Sequence, residues 1–398
     1  MIKRTQKATR AQTKWHNSRL VLNTIYKAGA ISRADIARQT KLTAATVSAV
    51  ATSLIEDGLI EDGAAIAGAR GKPPTLLKVV ENAYHLLCLN LAGGVFRGAV
   101  VNMQGAILHR VELPVAERTG DDAVALAYAL VDALLDKATS PIMGIGVGGP
   151  GITDPHSGRV LRSVNFGWYN LPLRDLLHAR YKLPVHLANA GHAAVLAEYR
   201  YGRYREQPDL VVVNIGRDVG AGIVLNGQLF LGAAFGAGEI GHVTVVENGE
   251  RCRCGNYGCL ETLVSSRAIV QRARQRAQAH PASILAGLAP AADIDIETVI
   301  QAFELGDPHV CAIVDEVGLY LGIALANVVG VLSVSHILLT GRVTRFGEML
   351  FTRINQEVNC RSLARVVSGA TVEAATLGAD IVILGAAALV LQHELGVH

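Results

Sequence analysis

Four side chains with metal-ligating atoms crowd into one short stretch: His242, Cys252, Cys254 and Cys259 fall within eighteen positions. Gly255 and Gly258 stand between the later cysteines, so the backbone there can fold back and aim every sulfur at a common point. One imidazole and three thiols at this spacing are the ligand set of a closed zinc site. A tetrahedral shell filled entirely by protein leaves no position for an activated water, so the zinc expected here is structural. Three buried free cysteines beside an ordinary core histidine are the bland alternative, and their clustering argues against it.

Two carboxylates are tied to this cluster. Glu239 lies three residues before one ligand and Glu261 two residues after another. Metal binding would fix both in space, where they could accept charge-assisted hydrogen bonds from neighbouring hydroxyls of a sugar.

The elements that must carry these groups belong to a large chain. With 398 residues, 50% of them hydrophobic, it can bury extensive cores in two or three domains. The net charge is only +3, but the first 80 residues hold 13 Lys and Arg against 5 Asp and Glu, which leaves the remainder acidic by 5. The positive field of the N-terminal segment suits a nucleic-acid module. Six cysteines, three of them scattered (Cys88, Cys311 and Cys360), make no disulfide framework and point to a reducing, cytoplasmic setting. No apolar signal core follows the basic N-terminus, and no apolar run escapes Gly or polar interruption for the length of a bilayer; no membrane is expected. Tyr320 to Val334 reads as buried helix.

Residues up to about Thr13 are polar and basic, an expected mobile arm, and helical spacing begins at Asn17 with Leu20, Val21 and Ile25. Ser32 and Asp35 have the relation of a helix cap and its acidic partner. A turn at Lys41-Leu42 leads into a second helix closed by Gly58, with Val47, Val50, Ala51 and Leu54 as its apolar stripe. Its outward residues Ala44, Ala45, Thr46 and Ser48 are small, which would let the helix sink into a major groove. A β-ribbon from Leu59 to Gly63 runs to a tip at Gly68–Pro74, where Arg70 and Lys72 could lie along a minor groove. Each feature alone fits a plain helical hairpin with a linker; in this order they predict a winged helix-turn-helix, with Arg33 and Thr43 joining Ala44, Ala45, Thr46, Ser48, Arg70 and Lys72 as candidate DNA contacts.

The segment from His16 to about Val80, with Ser32-Arg33-Ala34-Asp35-Ile36-Ala37 and Arg70-Gly71-Lys72-Pro73, resembles the winged helix-turn-helix of repressors in the ROK family (repressors, open reading frames and sugar kinases). The rest resembles that family's sugar-kinase body, and the cysteine cluster with its carboxylates is the most specific part of the likeness. The fold class this implies is an N-terminal winged helix-turn-helix plus an α/β actin-like, two-lobed body: residues 1–80 for DNA, 81–190 for the first lobe with helix 380–398 returning to it, and 191–379 for the second lobe with the zinc site. The body's own pattern agrees, since short apolar strands alternate with helical stretches such as Asp121 to Lys137. Ile142 to Gly151 reads as a buried strand entering a glycine turn, where backbone could approach a ligand closely.

Against kinase members of the family, four places differ. Asn90-Leu91-Ala92-Gly93-Gly94 stands where a first phosphate turn resembles Asp-x-Gly-Gly-Thr. Asn189-Ala190-Gly191-His192 stands where a helix start resembles Asn-Asp-Ala-Asn, so Ala190 takes the place of the catalytic aspartate. General-base catalysis is worth about 10²–10⁴-fold, and a methyl group cannot accept a proton. Gly216-Arg217-Asp218-Val219-Gly220 replaces the second phosphate loop, where Asp218 would repel a phosphate, and Thr340-Gly341 replaces a pair of glycines.

By the same resemblance a sugar pocket would contain Asn189, Glu239, His242 and Glu261, with the backbone of Gly149 and the side chain of Asn165 nearby. Trp168 could stack on a sugar or be plain core, His192 could touch the ligand or fill space, and Glu239 could instead support the zinc histidine. The expected protein is a non-enzymatic, sugar-responsive repressor: a homodimer or homotetramer that releases operator DNA when a monosaccharide or derivative fills the kinase-like cleft. A sugar kinase that retains phosphotransfer, and a module whose N-terminal helices contact protein, are the alternatives.

Overall fold

The computed structural model describes residues 9–65, 75–205, 207–361 and 369–397. Its N-terminal unit runs α1 (Arg10–Ala28), β1 (Ala30–Ser32), α2 (Arg33–Thr40), α3 (Ala44–Glu56), β2 (Ile60–Ala65) and β3 (Thr75–Val79). The three strands form an antiparallel sheet in the order β1-β3-β2. Helix α1 begins at Arg10, inside the stretch expected to be a mobile arm. Apolar spacing starts only later, but Arg, Ala, Gln and Lys are good helix formers and extend the helix toward the N-terminus. Ser32 caps α2 by accepting from the Asp35 N–H at 3.1 Å and donates its hydroxyl back to the Asp35 carboxylate at 2.8 Å. Val21 and Ile25 of α1, Ile36 of α2, Val47 and Leu54 of α3 and Leu77 of β3 meet in one core.

The first large sheet comes from β4 (His85–Asn90), β5 (Val95–Asn102) and β6 (Ile107–Pro114), an antiparallel meander. After α4 (Gly120–Leu135), β7 (Ile142–Gly149) joins β4 in parallel. A small antiparallel sheet of β8 (Ile152–Asp154), β9 (Arg159–Ser163) and β10 (Trp168–Leu171) follows, then α5 (Leu173–Tyr181) and β11 (Val185–Asn189), which closes the order β11-β7-β4-β5-β6. α6 (Ala190–Tyr201) leads to the second sheet. This contains β12 (Leu210–Ile215), β13 (Val219–Leu225) and β14 (Gln228–Leu229), then, beyond a helical region, β15 (His336–Thr340) and β16 (Thr371–Ala374), in the order β14-β13-β12-β15-β16. Strand β12 is almost continuously apolar because it is central, pairing antiparallel with β13 and parallel with β15. The helices are α7 (Glu261–Val264), α8 (Ser266–Ala279), α9 (Ile284–Leu288), α10 (Ile296–Glu304), α11 (Pro308–Leu332) and α12 (Gly347–Arg361), and the last is α13 (Ile381–Leu395).

Two helices carry the connection between the sheets. α13 packs on β4, β7 and β11, and α6 packs on β12, β13 and α13. Within β7 two glycines admit α13: a Cβ on Gly146 would lie 2.1 Å from the Ala386 carbonyl oxygen, and one on Gly148 would lie 2.3 Å from Val382 Cγ1. Helix-to-helix approach is as tight, since a Cβ on Gly385 would meet the Ala193 carbonyl oxygen at 1.8 Å.

α11 and the segment Gly378–Leu395 are long and apolar enough to cross a membrane by length and composition, although Gly318 and Gly322 interrupt the one and Gly385 the other. More than half of each such stretch is buried inside the fold, as in core helices. α11 extends well before Tyr320 because Asp307 caps it, accepting from the N–H groups of His309 and Val310, with Pro308 at the first position.

The head and body share packing. Met103 and Val397 are buried within the core of the N-terminal unit. Arg200, near the end of α6, is buried, donates from Nη1 to the Val397 carbonyl at 2.8 Å and holds its guanidinium 4.7 Å from the ring centre of Tyr26 on α1. Arg19 of α1 donates to the Gln392 carbonyl on α13 at 2.5 Å.

Candidate metal centre and ligand cleft

His242 ends a short 3₁₀ turn (Ile240–His242), and the cysteines follow in a loop folded back on it by two isolated β-bridges, Thr244 with Cys259 and Arg251 with Tyr257. One ligand atom from each of His242, Cys252, Cys254 and Cys259 lies within 4.8 Å of the others. The Cys252 sulfur is 3.7 Å from His242 Nδ1, and the Cys254 and Cys259 sulfurs are 3.7 Å apart. Sulfurs bound tetrahedrally at the usual zinc distance stand about 3.8 Å apart, so the four residues fit that ion. Burial raises the Cys252 thiol and pushes Cys259 up to about 12, with the neighbouring sulfurs adding to the latter. A cation at their common point is what would turn them into stable thiolates.

Nδ1 faces the sulfurs, so Nε2 is left to the other side, where Glu239 Oε2 lies 3.8 Å away. Glu261 Oε2 accepts the Val219 N–H at 3.0 Å. Burial raises the Glu239 carboxyl, with Glu261 and Asp218 adding to the effect and His242 opposing it. Burial also pushes Glu261 up to about 7, against the Val219 N–H. Hydroxyl donors from a bound polyol would favour the ionised forms of both.

A cavity of about 210 Å³ is lined by Asn189, Glu239, His242, Glu261, Gly149 and Asn165 together. Asn189 and Gly149 are opposite one another in the β11–β7 pairing. The Asn189 Oδ1 caps α6 by accepting the His192 N–H at 2.7 Å, which leaves its amide hydrogens as the donors it can offer to the cavity. Asn165 bridges the cleft: its Nδ2 donates to Asp218 at 2.5 Å and its Oδ1 accepts from Arg253 at 2.7 Å. Ala190, the first residue of α6, lines the same cavity with its methyl group.

Two other sequence candidates lie elsewhere. Trp168 is buried against Phe166, with ring centres 5.0 Å apart, and donates to the Gly120 carbonyl, so it is core. His192 is fully buried and its Nε2 lies 3.1 Å from the Ala237 carbonyl oxygen.

A larger cavity of about 1180 Å³ adjoins the first, sharing Ala92, Asn214 and Asp218 with it. Gly93, Gly94, Thr340 and Gly341 are on its wall. The Asn90 side chain closes its own turn by accepting the Ala92 N–H at 3.0 Å.

In the head, Thr43 caps α3 by accepting the Thr46 N–H at 3.1 Å, and the two hydroxyls lie 2.8 Å apart. Ala44, Ala45 and Ser48 are exposed on the same helix, while Thr46 is half-buried. Arg33 is tied to β2 through an ion pair with Asp62 at 3.1 Å, so its guanidinium is less free than the sequence suggested. Arg70 and Lys72 lie outside the described residues.

Residues 86–393 match the model of the ROK family, and residues 16–61 match a winged helix-turn-helix DNA-binding model. The chain belongs to the ROK family. Among ROK relatives, the xylose repressor of Caldicellulosiruptor bescii is 30% identical over 95% of this chain and 96% of its own length. The glucokinase of Halalkalibacterium halodurans is 34% identical over 77% of this chain and 94% of its own. The crystal structure of a ROK family transcriptional regulator, a homologue of the E. coli Mlc protein, superposes with a TM-score of 0.84 at 28% identity, covering 97% of this chain and 98% of that one. The repressor and the regulator match head and body together; the glucokinase matches over a shorter part of the chain.

Within this ROK body, the cavity walls also hold Arg217, Arg267 and Arg253, which the sequence reading did not single out. Arg253 lies between two cysteines of the cluster, which was the one available signal.

Proposed function

We propose that this protein is a sugar-responsive transcriptional repressor, whose body binds a monosaccharide or a derivative and performs no phosphotransfer. The observation that carries the reading is one cavity that unites Glu239, His242, Glu261 and Asn189 beside the methyl of Ala190, in a chain that also has a DNA-binding head. His242, Cys252, Cys254 and Cys259 hold a structural zinc, which supplies rigidity. Glu239 and Glu261 accept hydrogen bonds from sugar hydroxyls, the Asn189 amide donates one, and the Gly149 backbone and Asn165 shape the opposite wall. A carboxylate left without a hydroxyl partner in this cleft penalises the wrong stereoisomer. No group at position 190 can take a proton from the sugar, and Asn90 and Asp218 replace what a triphosphate turn requires.

Two copies of α3, presented by a dimer, would enter successive major grooves about 34 Å apart, with Thr43, Ala44, Ala45, Thr46 and Ser48 facing the bases and phosphates and Arg70 and Lys72 in the flanking minor grooves. The protein would act in the cytoplasm. For sugar to release DNA it must bind the released conformation more tightly; reversing a 99:1 population takes a preference of about 10⁴-fold. The test is a gel shift against the DNA upstream of the protein's own coding sequence, with and without a sugar panel, beside incubation with ATP, Mg²⁺ and the same sugars. Expected is a specific shift reversed by one sugar and no sugar phosphate formed; phosphotransfer above background, or no DNA binding at any salt, would overturn the reading.

A further inference from the structure

The junction between head and body buries polar groups inside an apolar ring. Arg19, Asn23 and Tyr26 follow one another at i, i+4 and i+7, so they share one face of α1, the face turned to the body. Arg19 reaches the Gln392 carbonyl in the last turn of α13, where the negative end of the helix dipole favours a cation. From the body side, Arg200 holds its guanidinium 4.7 Å from the ring centre of Tyr26 and 5.3 Å from that of Tyr201. Tyr201 rests in turn on the β5–β6 turn, where a Cβ on Gly105 would lie 3.0 Å from its Cε1. The same turn puts Met103 into the core of the head. Tyr26, Met143 and Leu395 complete the ring, each packing against both the core of the head and the core beneath α13.

Five polar atoms within this ring are buried and, among the described residues, have no hydrogen-bond partner: Asn23 Oδ1, Tyr26 Oη, Tyr201 Oη, and Nε and Nη2 of Arg200. Arg200 is 8% exposed and makes one directional bond, from Nη1 to the Val397 carbonyl; no carboxylate lies within 4 Å of it among the described residues. Buried polar groups are nearly always paired, so five unpaired atoms at one interface need a physical reason. The inventory is complementary: Arg200 has donors to spare, and α1 offers acceptors in Asn23 and Tyr26 that nothing occupies. Attraction to a ring face changes slowly as the cation moves, whereas a bond to an oxygen fixes it. The hydroxyl of Tyr26 belongs to the very ring that Arg200 already faces, so a small slide of α1 across the body would bring it to a free guanidinium nitrogen.

We propose that the junction is a two-position latch: Arg200 lies on the faces of Tyr26 and Tyr201 in the position described, and takes their hydroxyls as acceptors in a second. Tyr26 and Tyr201 are then positioning residues for DNA release, acting through the placement of the head. This rests on the reading of the protein as a sugar-responsive repressor, because a ligand in the cavity must supply the preference for one position. Leaving polar atoms unpaired raises the described position toward the second, which keeps the two close enough in free energy for a ligand to choose between them. A wholly apolar junction would have a single best packing and nothing to exchange. The static alternative is a buried water that pairs the same atoms without motion, and it makes the opposite prediction for their removal.

The test is the Tyr26→Phe, Tyr201→Phe double variant of the full-length protein, which keeps both ring faces under Arg200 and removes only atoms that have no partner in the described position. Parent and variant are compared by gel shift with and without the sugar that releases the parent, by thermal unfolding, and by hydrogen exchange. In the parent, sugar should weaken operator binding by about 5–150-fold, the usual size of coupling between two sites. In the variant that factor should fall to near unity, with the thermal midpoint held or raised. Exchange should show residues 149–152 protected by sugar in both proteins, and the amides of α1 responding to sugar in the parent alone. A variant that releases operator at the parent's sugar concentration, or whose α1 still responds, overturns this proposal alone. A lowered thermal midpoint shows that the hydroxyls are paired through water in the resting protein and overturns it as well. If no sugar weakens operator binding by the parent, the repressor reading fails and this proposal with it.

Discussion

Removing the metal should uncouple sensing from DNA binding. The loop from Val243 to Cys259 has two isolated bridges for order, and Val243 and Tyr257 are 45% and 55% exposed, so little apolar burial holds it. With zinc bound, His242 and the three cysteines would fix its ends, and structural zinc in small sites contributes about 10–16 kcal/mol of binding free energy that goes into local folding. Once the cluster opens, Glu239 and Glu261 lose their anchored positions. If each carboxylate contributes about 1.5 kcal/mol, the low end for a charged hydrogen bond, the loss of both is about 3 kcal/mol, or roughly 150-fold in sugar affinity. The core of the DNA-binding head contains no residue of this loop, so operator binding should persist. The assay is to strip the metal with a strong chelator, verify loss by elemental analysis, and run sugar titration and gel shift side by side. The metal-free protein should still shift operator DNA and no longer release it at sugar concentrations that empty the holoprotein; release at unchanged sugar concentration would refute the structural role given to the cluster.

Three further outcomes are expected. Ala45→Glu puts a negative charge on the exposed N-terminal turn of α3, where the helix dipole favours it, so the thermal midpoint should hold while operator affinity falls by at least tenfold in a gel shift. Glu198, fully buried, accepts from the N–H groups of Thr376 and Leu377 at 2.6 and 3.1 Å and from the Thr376 hydroxyl; Glu198→Ala should cost about 2 kcal/mol in urea unfolding, with Glu198→Gln recovering part of it. His186 and His393 stack with ring centres 4.4 Å apart, and burial holds both below the ordinary histidine range, although Glu394 pulls each back. Neutral when folded, they contribute stability that is complete above the unfolded value near 6.5 and lost as pH falls through their lower folded values. The His186→Asn, His393→Asn variant should therefore lose less stability than the parent between pH 7.5 and 5.5; the comparison separates this pair from Glu261, whose raised carboxyl acts in the opposite sense.

What the sequence disclosed was whatever is contiguous in the chain. The ligand cluster, Ser32 with Asp35, and the stripe of α3 are all local patterns, and each of them forms as read. Asn165 meeting Asp218, or Arg217 reaching Gly94, depends on the closure of two sheets and leaves no periodic trace. The glycines of β7 carried two meanings that the sequence did not separate: absence of a side chain announces close approach but not what approaches, and Gly146 and Gly148 take α13 while Gly149 lines the cavity. Trp168 was ambiguous because an aromatic serves a core and a sugar face equally well.

The geometry of α6 sets a mechanical condition on any signal. Asn189 caps one end of it at the cavity, and Arg200, near the other, grips Val397 and Tyr26 of the head. Twelve residues of helix make a strut about 18 Å long, too stiff to absorb a displacement along its axis. A ligand that tugs on Asn189, as the proposed function requires, would pass its displacement along this strut to the footing of the DNA-reading unit, where the buried Arg200 is held by the Val397 carbonyl and the Tyr26 ring.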